Sequence, residues 1–296
     1  MLPPDLIQKI KKVHIRTGRV VNTLMAGQYK SVFRGAGIEF EEVREYSPGD
    51  DVKSIDWKVS ARMGRPYVKL YREEREMIVM LLVDLSASGR FGTQVGSKQE
   101  IAAETAAILA FNAVRNNDKV GVVLFTDQVE HYIPPKKGSG HVWRVIKEIF
   151  SHTPCHTGTD ISAAVGFLGR VCRKRSTAFV ISDFIQPQGL PVVDRQMRST
   201  ARKHELIQVV VSDPGEFSLP EAGIVTMRDL ETGRMVQLDA FHGPTRQRYA
   251  RQRRAAYQGV LDQFKAGDMD AIEISTTDSA ADALTRYFRY RERRKR

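Results

Sequence analysis

Seven apolar residues in unbroken succession, Met77 to Val83 in MIVMLLVDLSASGRFG, run directly into Asp84 and then into serines at 86 and 88. A run with no polar residue on either face marks a strand buried on both sides, which occurs in a parallel sheet covered by helices. The rest of the chain repeats the pattern. KVGVVLF, STAFVISDF, LIQVVVSD and DAIEIS are further short apolar strands. Among them lie helix-period segments: SKQEIAAETAAILAFNAVRNN, HVWRVIKEIF, DISAAVGFLGRVCRK, QMRSTARKHE, residues 245–265 and a terminal helix. Such alternation predicts the α/β class, with a Rossmann-like, doubly wound and mostly parallel sheet. A hairpin is expected around LETGR.

Upstream the pattern differs. Leu6, Ile7, Ile10 and Val13 recur at helical spacing within residues 4–25, and Asp5 suits a helix start. The stretch GIEFEEVREYSPGDDVKSIDWKVSARMGRPYVKLYREEREM alternates apolar and polar residues around the turn SPGDD. The expected division is an N-terminal unit of helices and a small β module, residues 1–75, followed by the α/β domain, residues 76–296. The 296 residues are enough for a full hydrophobic core. A net charge of +11 favours acidic partners. Two cysteines, Cys155 and Cys172, are too few for a disulfide framework and suit a reducing compartment. The seven-residue apolar run falls far short of the roughly 20 residues of a membrane span. The start of the chain has no apolar leader segment, so a cytoplasmic protein is expected.

Ligands of an open α/β sheet bind beyond the carboxyl ends of its strands, where the strand order reverses. Asp84 and Asp183 lie at such ends, and CHTGTDIS brings Thr157, Thr159 and Asp160 to a helix start. The inventory is carboxylates and hydroxyls only. Magnesium suits it, because that ion takes oxygen ligands, retains waters and needs only one or two protein carboxylates. A shell so poor in charge leaves the ion able to accept a further carboxylate from outside. The competing reading is that Asp84, Thr159 and Asp160 simply cap helices.

The loop DLSAS at the end of an apolar strand resembles the metal-ion-dependent adhesion site of the von Willebrand factor A fold. That resemblance implies a ligand set of Asp84, Ser86 and Ser88, with Thr159 from a second loop and Asp183 from a third, holding Mg²⁺ or Mn²⁺. Over nearly the whole chain, RGAGIEFEEVREYSPGDDVKSIDWKVSARMGRPYVKLYREEREMIVMLLVDLSAS, VSDPGEFSLP and the arginine-rich ending resemble the bacterial domain-of-unknown-function family 58. Members have a von Willebrand factor A-like domain and are often encoded beside MoxR-type AAA+ ATPases. The resemblance therefore implies a non-enzymatic adaptor, gripping a carboxylate of such an ATPase, or of another protein presenting Asp or Glu, through Mg²⁺ in chaperone-like assembly or maturation. Gly89 departs from the family, which usually has methionine there, but that position supplies no ligand.

Other signals are weaker. GTQVGSK fails as a phosphate loop, because its second glycine comes too early and Ser97 intervenes before Lys98. His152, Cys155 and His156 lack a fourth zinc ligand at a standard spacing. Cys172 reads as a buried thiol. No histidine is placed as a base for a serine nucleophile, and a G-x-S-x-G elbow is missing. The mixed charges of the β module, from Glu39 to Arg62, read as cross-strand ion pairs or a docking surface rather than as a catalytic carboxylate pair. TRQRYARQRRAAY and RYFRYRERRKR interleave arginine with tyrosine, which leaves open a nucleic-acid-binding alternative through the C-terminal helices. Tyr249, Arg253 and Tyr257 at helical spacing, with Leu284, Tyr287 and Phe288 inward, equally give amphipathic helices with a solvated basic face.

Overall fold

A computed structural model describes residues 37–74, 77–93, 96–185 and 191–294. The helices expected within residues 4–25 lie outside them. The described residues form two compact units, one ending at Met77 and the other beginning at Ile78.

In the first unit, β1 (Gly37–Glu45) pairs antiparallel with β2 (Tyr67–Glu74). Between them, the expected β module contains a helix instead, α1 (Trp57–Met63). Both of its ends are capped. The Asp56 carboxylate accepts the N–H groups of Lys58 and Val59 at 2.9 and 3.2 Å, and Gly64 closes the last turn at φ 70°. Two good caps outweigh an alternating pattern over seven residues. The ion pairs also differ from directly opposed cross-strand pairs. Arg44 holds Asp50 in the following turn at 2.6 Å, and Lys69 of β2 holds the cap residue Asp56 at 3.3 Å. These charges staple a turn and a helix.

The second unit runs β3 (Ile78–Asp84), α2 (Lys98–Arg115), β4 (Lys119–Phe125), β5 (Val129–Lys136), α3 (Ser139–Ser151), α4 (Ile161–Val171) and β6 (Thr177–Ser182). It continues with α5 (Arg195–Ala201), β7 (Glu205–Ser212), a hairpin of β8 (Ile224–Arg228) and β9 (Met235–Asp239), α6 (Gly243–Ala266), β10 (Asp270–Ser275) and α7 (Ala280–Arg294). The sheet order is β10-β7-β6-β3-β4-β5, parallel except at β5. The doubly wound, mostly parallel α/β architecture expected from the apolar runs is present. From β3 the chain builds outward through β4 to β5, then returns to place β6 on the other side of β3. That reversal puts the switch point between β3 and β6.

Period-two alternation explains the two covered faces. Met80 and Leu82 of β3 enter a cluster with Ala164, Val165 and Leu168 of α4, Met197 of α5 and Phe264 of α6. On the opposite face α2 packs against β3, α3 and α7. Its buried stripe is mostly alanine, including Ala102, Ala103, Ala106, Ala107 and Ala110, which lets the helix lie close to the sheet. The edge strand β5 has no apolar signature, because VEHYIPPK is half exposed and carries Pro134 and Pro135, which only an edge tolerates. Beneath it Gly121 is required. A Cβ there would lie 2.8 Å from the Met80 sulfur and 2.9 Å from the Ile133 carbonyl oxygen. The helix expected across QMRSTARKHE stops at Ala201, and Glu205 already starts β7.

The carboxyl end of β7 is tied down by Asp213, which is fully buried. It accepts the hydroxyls of Thr93 and Thr276 at 2.5 and 2.6 Å and the N–H groups of Gly215 and Thr93 at 2.8 and 3.1 Å. Burial pushes its pKa up, but these four donors outweigh it and hold the carboxyl below the usual range. Asp213→Ala orphans two backbone donors at about 1–3 kcal/mol each. Chemical denaturation at pH 7 is expected to show that loss, and the wild-type advantage should shrink as pH falls through the folded-state pKa of Asp213, below 3.8.

In α7, Leu284, Tyr287 and Phe288 are buried, as the helical spacing predicts. Arg291 of the same helix pairs with Glu205 and Asp270, so part of the basic ending is used inside the fold. Among the described residues, no helix is long and apolar enough to cross a membrane.

Candidate metal centre

Register alone brings the first two site groups together. Val83 pairs with Ile181, so the next residues along the parallel strands, Asp84 and Ser182, are neighbours at the switch point. The Ser182 hydroxyl donates to Asp84 Oδ2 at 2.6 Å, and the Ser86 N–H donates to Oδ1 at 2.8 Å. Asp84 thus folds its own loop into a turn. The serines follow on a short 3₁₀ turn, with Ser86 Oγ and Ser88 Oγ 3.1 Å apart. The Ala87 N–H donates to the Thr157 carbonyl at 2.9 Å, drawing the loop that carries Thr159 alongside. Asp183 completes the set as the first residue after β6 and lines the same cleft as Asp84, Ser86 and Ser88.

The helix-capping alternative separates two adjacent residues. Asp160 does cap α4, accepting the Ala163 N–H at 2.9 Å. Thr159 does not cap. It is buried, and its hydroxyl donates to Glu231 Oε1 at 2.8 Å, from the turn between β8 and β9. The Ser88 hydroxyl lies beside the same carboxylate and, like Thr159, opposes the rise in its pKa. Asp84, Ser86, Ser88 and Asp183 therefore line one cleft, and Thr159 is brought alongside it by the Ala87–Thr157 bond and by Glu231.

Two charges that the sequence reading did not include stand at the rim. Lys98, at the start of α2, donates to Asp183 Oδ2 at 2.5 Å and to Glu216 Oε1 at 2.6 Å. Burial lowers its pKa, but the two carboxylates outweigh that effect and raise it, so the ammonium stays charged. The stretch GTQVGSK is thereby explained without phosphate. Ser97 caps α2 in a reciprocal capping box with Glu100, and the lysine turns inward to carboxylates. The second charge is Glu231 itself, whose pKa is raised by burial despite the Thr159 hydrogen bond. Asp84 is pushed up to about 7, first by burial and then by the Asp183 charge, while the Ser182 and Ser86 hydrogen bonds oppose the shift.

The donor set fits a hard divalent cation. With metal–oxygen distances of about 2.0–2.1 Å, adjacent oxygens of an octahedron lie about 2.9 Å apart. The Ser86–Ser88 pair at 3.1 Å and the Thr159–Glu231 pair at 2.8 Å match that edge. Hydroxyl ligands bind through oxygen lone pairs and keep a proton to donate to a carboxylate, as Thr159 does here. The carboxylate of Asp183 accepts from Lys98 and from the Ile185 N–H at 3.0 Å, which favours its acting on an ion through water. Beside it, buried Phe184 has φ 55°, a left-handed conformation that costs a bulky residue about 1–2 kcal/mol, and strain of this kind gathers at functional sites. Its ring, set edge-on to Phe264 at 4.9 Å, and its N–H bond to Ser182 Oγ hold it there. Soft-metal binding finds no support. The side chains of the rejected zinc trio have other surroundings: His152 lies 3.5 Å from Glu148, His156 faces Gln128 and Asp127, and Cys155 is exposed.

A doubly wound sheet with one antiparallel edge, carrying an Asp-x-Ser-x-Ser loop at its switch point, is a von Willebrand factor A-like domain. Within that class the chain belongs to the family described as protein of unknown function DUF58, whose model matches residues 42–258. The uncharacterized protein Rv1480 of Mycobacterium tuberculosis is 30% identical over 232 residues, covering 78% of this chain and 72% of that protein. Among solved structures, an aerotolerance-related membrane protein from Bacteroides fragilis aligns at 16% identity and TM-score 0.48, over 74% of this chain and 99% of that one. The hypothetical protein BatB from Bacteroides thetaiotaomicron aligns at 16% identity and the same TM-score, over 73% and 99%.

Proposed function

We propose that this chain is a non-enzymatic interaction protein that holds Mg²⁺, or Mn²⁺, through Ser86, Ser88 and Thr159 with Asp84 and Asp183 in support, and presents the cation to a partner's carboxylate. The observation that carries this reading is the cleft at the β3–β6 switch point shared by Asp84, Asp183, Ser86 and Ser88, with the serine oxygens at octahedral-edge spacing and the Thr159 loop alongside. When bound, the cation would supply an electrophilic coordination position. The chain's own groups orient it: Ser182 and the Ser86 N–H fix Asp84, and Lys98 fixes Asp183.

The placement of the described histidines suits a binding role. Among the described residues the histidines engage groups away from Ser86 and Ser88, such as Glu148, Val120, Ser176 and Thr245. Family membership points the proposal at a MoxR-type AAA+ ATPase in the cytoplasm as the partner, with this chain as adaptor in assembly or maturation. Capture of such an ATPase from native lysate on the immobilised protein is expected in Mg²⁺ and not in EDTA, and not by Asp84→Ala. Chelator-insensitive recovery of nucleic acid that elutes with salt would instead assign binding to the exposed arginines of α6, Arg248, Arg251 and Arg254.

A further inference from the structure

One carboxylate beside the candidate metal centre, Glu231, comes from a hairpin outside the central sheet. It belongs to the tip of the β8–β9 hairpin, and from Arg228 to Gln237 it is the one residue that is not exposed. The tip is built to aim it inward. Asp229 Oδ1 accepts the N–H groups of Glu231 and Thr232 at 2.9 and 3.1 Å, while Gly233, at φ 72°, donates its N–H to the Asp229 carbonyl at 2.8 Å. The inward carboxylate then takes the Thr159 hydroxyl at 2.8 Å, engaging one of the three hydroxyls assigned to the cation, and lies beside a second, Ser88.

We propose that Glu231 is an internal ligand of the cation site, a carboxylate supplied in cis that fills the position a partner's Asp or Glu would take. The proposal rests on the reading of the site as a cation centre and adds its regulation: a partner must displace the hairpin before it can reach the ion. The hairpin is suited to leave. Its two strands pair only with each other, and an isolated two-stranded ribbon is marginal in water. It also exposes Ile224, Leu230, Met235 and Val236, so a partner could hold the displaced hairpin through apolar contact.

The test uses Mn²⁺ alone as the probe on the full chain, comparing wild type, Glu231→Gln and Asp84→Ala. Free Mn²⁺ is counted by electron paramagnetic resonance and coordinated water by proton relaxation. Glu231→Gln is expected to bind Mn²⁺ about ten- to hundredfold more weakly, to gain one exchangeable water, and to let added acetate displace that water. Wild type should show no acetate effect. Equal affinity and equal relaxation in wild type and Glu231→Gln, with Asp84→Ala silent, would overturn the internal-ligand proposal while leaving the site intact. Equal binding by wild type and Asp84→Ala would overturn the cation centre itself, and the role of Glu231 with it.

Discussion

Lys98→Met is expected to destabilise the metal-free protein by about 3–5 kcal/mol, the cost of leaving buried carboxylates without their counter-charge. The ammonium is 3% exposed and holds Asp183, 4% exposed, and Glu216, 10% exposed. Methionine keeps the packing volume of the stem but removes the charge and both hydrogen bonds. Because the folded-state pKa of Lys98 is raised above 10.5, its contribution is complete at neutral pH and disappears only as pH climbs beyond 10.5 through the folded value. A divalent cation beside Asp183 would restore part of the lost charge. Urea unfolding at pH 7.5 should therefore show Mg²⁺ stabilising Lys98→Met more than wild type. An unfolding midpoint that Lys98→Met leaves unchanged would show that the triad does not stabilise the fold.

Asp84→Asn should act in the opposite direction on stability and against the proposed function. Asp84 titrates near 3.8 in the unfolded chain and at about 7 in the fold. Between those values the folded protein binds the extra proton, so the stability of the metal-free protein falls as pH rises from about 4 to 7 and then levels. Asparagine removes that slope. It can still accept the Ser86 N–H, and its amide can donate to the Ser182 oxygen. At pH 8 the variant should exceed metal-free wild type by on the order of a few kcal/mol, while losing any stabilisation by Mg²⁺. Melting curves with and without Mg²⁺ from pH 5 to 8 read both effects. A variant less stable than wild type at pH 8 would mean that the buried carboxylate is not a burden on the fold.

What could be read from the chain depended on range. Met77–Val83 and KVGVVLF declare buried strands through local apolarity, and the order of strands and helices gives the doubly wound class. The strand end at Asp84 and the paired serines likewise form a local signal. Edge strand β5 escapes because VEHYIPPK is neither apolar nor alternating, and α1 escapes because its caps, Asp56 and Gly64, sit within an alternating stretch. The charges around the centre were illegible for another reason. Lys98 meets Asp183 across 85 positions and Glu216 across 118, and Glu231 meets Thr159 across 72. No spacing rule covers such pairs. The local pattern pointed elsewhere: LETGR reads as a hairpin turn, and DPGE closes a capping box in the fold, neither revealing which cleft the glutamates enter.

Isothermal titration of the full chain with Mg²⁺ and with Mn²⁺ at pH 8 asks whether the oxygen cluster at the β3–β6 switch point binds a divalent cation. One saturable site per chain is expected for wild type and no binding by Asp84→Asn, with that variant folded by its melting curve. Wild-type titrations indistinguishable from those of Asp84→Asn would contradict cation binding at that cluster.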